Sequence, residues 1–174
     1  MKHPRVLAST LAGALLGLAV PLLAPAAAQA ATLNACTGTE IATYSPAMQV
    51  TAGSTTVTAN GTLSCTGDST HPSASVSFHG SGSLSCLTGG TTAGTGELHW
   101  TGTGTTTSHF TFSLALGARP TGEEVLVATG AVTSGDYNGS PITFTFTLLA
   151  GDPTACLTTG ISSDAGPLTA VIGA

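Results

Sequence analysis

The sequence predicts an all-β protein: a single-domain antiparallel β-sandwich of immunoglobulin-like or Greek-key type, or a closed β-barrel, held by two disulfides. Three observations lead there. Threonine and glycine abound while Glu, Lys and Gln, which favour helices, are scarce. No stretch after Ala31 repeats apolar residues at i, i+3, i+4 and i+7, the spacing a helix needs to bury one stripe. Several segments instead alternate apolar residues with Thr. The clearest is Ile142, Phe144, Phe146 and Leu148, the period of a strand with one buried face.

In chain order, a first strand is expected from Ala35 to Tyr44, closed at Ser45-Pro46, where proline removes a ladder donor. A second runs from Thr55 to Thr66, with Val57, Ala59, Leu63 and Cys65 on one parity. Gly67-Asp68 through His71-Pro72 is turn chemistry. A third, Ser73 to Leu87, puts Val76, Phe78, Leu84 and Cys86 on one face, with Gly80 and Gly82 suggesting a bend or bulge. Gly89-Gly90 is expected to open a flexible loop. Glu97 to Thr101 and Ser108 to Gly117 then form a hairpin around Gly102-Thr103-Gly104. On its two arms Leu98, Trp100, Phe110, Phe112, Leu114 and Leu116 are all even-numbered, so both arms can bury one common face. Their odd-numbered neighbours Glu97, His99 and His109 are therefore predicted to meet on the outer side.

Arg119 to Gly122 is a turn. From Glu124 to Thr133 apolar residues on both parities, Val125 and Val127 against Leu126 and Val132, predict a strand covered on both sides near its start. Ser134 to Ser140 leads into the Ile142 strand, which Gly151-Asp152-Pro153 ends. Cys156 to Ile161 and Leu168 to Ile172 supply one or two short closing strands.

Residues 1–30 read as a signal peptide: Lys2 and Arg5, an apolar run from Leu7 to Leu23, and the small-residue motif Ala28-Gln29-Ala30. Residues 31–174 then form a single all-β domain, secreted to the extracellular space. This part keeps one basic residue, Arg119, against eight carboxylates, a formal charge of −7. Nucleic acid and anionic membranes are excluded as partners, because both need clustered Lys and Arg. All four cysteines, Cys36, Cys65, Cys86 and Cys156, fall in this part. An even count in a secreted chain reads as two bridges, and four cysteines allow three connectivities. Cys36 with Cys65 and Cys86 with Cys156 is favoured. Cys86-Leu87-Thr88-Gly89 and Cys156-Leu157-Thr158-Thr159-Gly160 look like paired strand ends, and a hairpin turning near His71 would hold Cys65 and Cys86 apart.

Several of these stretches together resemble a group of small secreted proteins of actinobacteria such as streptomycetes. They are Cys36-Thr37-Gly38-Thr39 leading to Thr43-Tyr44-Ser45-Pro46, a central Leu84-Ser85-Cys86-Leu87, the Thr- and Gly-rich run to Trp100, Val132 to Gly135 before Gly139, and the late Cys156 to Gly160 segment. The resemblance covers nearly all of the mature chain and implies an extracellular setting without an assigned activity. In size, acidity, bridge count and composition the chain is also similar to the immunoglobulin-like apoproteins that carry enediyne chromophores. It departs from them in cysteine spacing, since their bridges close two short local loops. Streptomycete subtilisin inhibitors match less well, having helices and a differently placed, bridge-braced reactive loop.

No catalytic constellation stands out. Ser108-His109 is expected by chance in a chain this rich in hydroxyls, no Gly-x-Ser-x-Gly elbow is present, and Glu123-Glu124 sits beside a turn. Glu97, His99 and His109 are candidate ligands for a divalent metal, against the plainer reading of polar side chains facing water. Asp136-Tyr137-Asn138 is a candidate recognition loop with an aromatic tip, against an Asn-Gly turn with Tyr137 packed on a neighbour. No cofactor is expected. The leading functional expectation is a secreted, non-catalytic module that docks on a secreted protein or on cell-wall material, with its extended start and unpaired edge strands suited to strand addition. The alternative is an extracellular carrier of a small apolar or basic ligand, which a deep apolar pocket would favour; a hydrolase comes third.

Overall fold

Each strand pairs antiparallel with its neighbour in sequence, and the last returns to the first, so the sheet closes into a barrel. The computed structural model describes residues 33–116, 123–149 and 154–173. Among them the strands are β1 (Asn34–Met48), β2 (Gly53–Thr66), β3 (Ser73–Ser85), β4 (Gly89–Trp100), β5 (Ser108–Leu116), β6 (Glu123–Ser134), β7 (Pro141–Leu149) and β8 (Ile161–Ile172). A single 3-10 turn, Ala155–Leu157, precedes β8. The expected signal peptide of residues 1–30, the expected turn at Arg119 to Gly122 and Gly151-Asp152-Pro153 lie outside the described residues.

Closure decides between the two expected architectures. It also removes the unpaired edges on which strand addition would depend, because β1 pairs with β2 on one side and with β8 on the other. β1 continues past Ser45-Pro46 to Met48, and its pairing with β8 is interrupted between Thr43 and Met48. The proline thus sits where the ladder toward β8 is already broken.

Strand period sorts the side chains. Inward positions carry the core, including all five phenylalanines, while outward positions are mostly Thr and Ser. That is the reverse of a barrel that spans a bilayer, whose outside is apolar and whose inside is polar. No helix among the described residues is long and apolar enough to cross a membrane. Phe78 stands at the centre of the core, with the rings of Phe110, Phe112, Phe144 and Phe146 at 4.8 to 5.6 Å. Rings this large fit because small residues face them. A Cβ on Gly96 would lie 2.3 Å from Phe110 Cζ, and one on Gly80 3.1 Å from Phe112 Cζ.

Two expectations are corrected here. Gly89-Gly90 opens no flexible loop but starts β4, which pairs with β3 from its first residue. Val125 and Val127 are not covered: they point outward and are 67% and 49% exposed, since a barrel has one layer and no described element packs over them. Both favoured disulfides are present, Cys36–Cys65 and Cys86–Cys156. The first joins directly paired residues of β1 and β2. The second links not strand ends but two loops, β3–β4 and β7–β8. These lie four strands apart in the ring, so the bridge straps one end of the barrel from side to side.

Candidate functional site

Inside the barrel, the first feature that simple burial does not explain is a carboxyl. Glu40 shares the inward parity of Cys36, Ala42 and Tyr44 on β1. Its neighbours in register are Gly61 on β2 and Gly166 on β8, so the side chain turns inward into space that two missing side chains leave. It is only 4% exposed. Asp164 on β8 is also buried and accepts a hydrogen bond of 3.1 Å from the Tyr44 hydroxyl. Burial, reinforced by the negative charge of Asp164, pushes the Glu40 carboxyl up to about 7.

Glu40 and Tyr44 line a cavity of about 40 Å³ with Thr92 of β4 and an apolar wall that includes Phe78, Phe112, Leu116, Leu126 and Phe146. The cavity lies between the phenylalanine cluster and the strapped end. Val57 and Leu114, also on its wall, point inward yet keep partial exposure, which marks the side on which it approaches solvent. Two polar atoms on this wall, Glu40 Oε2 and Thr92 Oγ1, have no hydrogen-bond partner among the described residues. Each such atom costs roughly 1 to 3 kcal/mol, so the fold tolerates a real expense at one spot.

The sign of the Glu40 effect is open to test. Its folded value lies above its ordinary value of 4.5, so the folded state binds the proton more tightly. The associated stability is complete below pH 4.5 and is lost as pH rises through about 7. Glu40→Gln, which mimics the protonated group, is therefore expected to match the parent at pH 4 and to exceed it by about 3 kcal/mol at pH 8. Urea unfolding at the two pH values checks this, and a variant equal to the parent at both would show that Glu40 is solvated.

The opposite end of the barrel is closed by a polar network. His71, in the β2–β3 loop, has Nδ1 2.8 Å from Asp68 Oδ2 and Nε2 2.9 Å from Asp136 Oδ2 in the β6–β7 loop. Tyr137 donates its hydroxyl to Asp68 Oδ2 at 2.6 Å and accepts from Asn34 Nδ2 at 3.1 Å. Asp136 also accepts from the Thr106 amide and hydroxyl in the β4–β5 loop, each at 2.8 Å. The His71 ring packs against Trp100 and Tyr137. All three loops at this end are thereby joined. Tyr137 adopts a φ of 61° to enter the network, a conformation that residues other than glycine rarely take. Hydrogen bonds from Thr70, then from Tyr137, hold the Asp68 carboxyl far below the usual range. Burial would push Asp136 up, but hydrogen bonds from His71 and Thr106 outweigh it and hold that carboxyl low as well.

Thr70, His71 and Asp136 have the contacts of a nucleophile, base and orienting carboxylate, with Thr70 Oγ1 2.8 Å from His71 Nδ1. The resemblance to a triad stops there. Asp68 takes both the Thr70 hydroxyl, at 2.6 Å, and the same ring nitrogen, so the proton that a base would remove is already directed to a carboxylate. The network is a latch. Both carboxylates are depressed, so its contribution is complete above pH 4 and falls away at lower pH. His71→Ala is expected to cost about 2 kcal/mol at pH 7, a difference that shrinks below about pH 4. Denaturant titrations at pH 7 and pH 3 check both halves.

The same geometry places the residues of the expected recognition loop. Tyr137 is tucked onto Trp100 and His71, and Asp136 is engaged in the latch, leaving only Asn138 exposed. The outer triad does form as parity required. Glu97 stands between the two imidazoles, with Oε2 3.0 Å from His99 Nε2 and Oε1 3.3 Å from His109 Nδ1. Both of its oxygens are thus engaged by the histidines, and among the described residues no group of three His, Cys, Asp or Glu side chains is placed to hold a metal ion. No protein-family model, curated protein or solved structure matches this chain. Sequence reasoning missed Glu40, Thr92 and Asp164; the parity of Glu40 with Ala42 and Tyr44 was the available signal.

Proposed function

We propose that this protein is an extracellular, non-catalytic binding barrel whose interior holds the end group of a small ligand. The observation that carries the reading is one apolar cavity on which two buried polar atoms, Glu40 Oε2 and Thr92 Oγ1, have no partner among the described residues. An apolar wall with a few converging polar groups and a displaced carboxyl is the usual composition of a small-molecule site. Its size limits the ligand. About 40 Å³ takes a few heavy atoms, far short of the hundreds of Å³ that enclose a drug-sized molecule, so only the end of a ligand enters and the rest lies toward the mouth. Two disulfides are compatible with an extracellular location, the setting of the actinobacterial group that the sequence resembles.

Native mass spectrometry of the protein taken from the supernatant of its own host tests the reading. A small additional mass that survives gentle ionisation is the expected result. A bare chain four hydrogens lighter than its reduced form, with no adduct at any ionisation energy, would count against it. A second reading, docking on a secreted protein or on cell-wall material, is supported by the exposed Val125 and Val127 on the outside of β6, and a protein adduct in the same spectrum would favour it.

A further inference from the structure

We infer that the group held in the barrel is a primary ammonium on a short aliphatic chain, with Glu40 and Thr92 as its acceptors. The inference rests on the ligand reading above and names the class of group that the pocket takes. Three kinds of end group can be compared. An anion would meet Glu40 beside Asp164, two carboxylates in a poorly solvated interior, and is repelled. A neutral hydroxyl can donate to Glu40 Oε2 and accept from Thr92 Oγ1, but it brings no positive charge to offset the paired carboxylates. An ammonium carries three donors and a positive charge, enough for both Glu40 Oε2 and Thr92 Oγ1, and its methylenes suit the Phe78, Phe112 and Leu126 wall. The acidic balance of the chain, with Arg119 alone against eight carboxylates after Ala31, also raises the local concentration of cations over anions.

The proton balance follows from burial of the Glu40 carboxyl beside Asp164, which raises it to about 7. Below neutrality Glu40 carries a proton in the empty pocket, so an entering ammonium displaces that proton to solvent and pairs with the carboxylate left behind. Above neutrality no proton needs to leave. The groups around this carboxyl among the described residues are Asp164 from β8, Tyr44 from β1 and Thr92 from β4, and Asp164 adds to the attraction for a cation. Affinity for an ammonium should therefore rise about thirtyfold between pH 5.5 and pH 8, as the ionised fraction of a group near 7 rises.

The experiment is a set of NMR titrations of the purified protein with n-butylammonium, n-butanol and butyrate at pH 8 and pH 5.5. The expected result is at least tenfold tighter binding of butylammonium than of butanol at pH 8, with shifts at the cavity residues and none from butyrate. Glu40→Gln should lower the ammonium to the level of the alcohol. Should that variant fail to fold, Thr92→Val is expected to weaken the ammonium several-fold on its own. Equal binding of butanol and butylammonium by the parent would overturn the ammonium assignment while leaving the pocket in place. Silence from all three probes would remove the pocket reading and this inference with it.

Discussion

Replacing Cys86 and Cys156 together by alanine is expected to lower stability by about 4 kcal/mol. The bridge closes a loop of 70 residues, against 29 for Cys36–Cys65. If cross-links act mainly by restricting the unfolded chain, the longer loop should be worth about 0.8 kcal/mol more than the shorter. Position adds to the argument. Cys36 and Cys65 already face each other in the β1–β2 ladder, so the barrel keeps them together without the bond. The loops that carry Cys86 and Cys156 are set by strands on opposite sides of the ring, and the bridge joins them. Guanidinium unfolding of the two double variants measures the difference, and a Cys36/Cys65 variant that proved the weaker would show that local pairing, rather than loop length, governs.

Phe78→Ala is expected to cost about 4 kcal/mol. The ring is 5% exposed and touches the other four phenylalanines edge-on or nearly so. No other side chain in the core has four aromatic neighbours. Its removal leaves a hole that the surrounding strands cannot close, because each is fixed by ladders on both sides. Phe78→Leu should recover roughly half of the loss by refilling volume without the ring contacts. The same hole would enlarge the neighbouring cavity, since Phe78 forms part of its wall. A loss below about 1.5 kcal/mol for the alanine variant would mean that the aromatic cluster is loosely packed.

How far the sequence reveals this molecule depends on what each strand puts inside. Ile142 to Leu148 and Phe110 to Leu116 alternate large apolar residues with small polar ones, so their strands and buried faces are legible at once. β4 hides the same period. Its inward residues Gly90, Thr92, Gly94 and Gly96 are small: the Phe110 ring fills the space in front of Gly96, and backbone of β3 stands close to Gly90 and Gly94, while a run of Gly and Thr reads locally as loop. β8 is obscured for a related reason: Ser162-Ser163-Asp164-Ala165-Gly166-Pro167 has the composition of a turn, yet it is half of a twelve-residue strand. Closure itself depends on β1 finding β8, a pairing between the two ends of the domain that no local pattern encodes. The latch was hidden in the same way, since His71, Asp136 and Tyr137 each sit in what reads correctly as a turn, and only the barrel brings those turns to one end.

Of the interior polar groups, Glu40 was open to discovery by parity, but a buried acid is uncommon enough that composition alone argues for an outward side chain. Asp164 was not, because its strand was not visible. The two together set the character of the pocket, whose ligand chemistry depends on Glu40 lying in a poorly solvated interior beside Asp164. The most direct measurement is the pH titration of the Glu40 side-chain carboxyl by carbon-13 NMR, assigned by comparison with Glu40→Gln. A midpoint near 7 is expected; a midpoint near 4.5, the ordinary value for an exposed glutamate, would place the carboxyl in water and contradict the pocket described above.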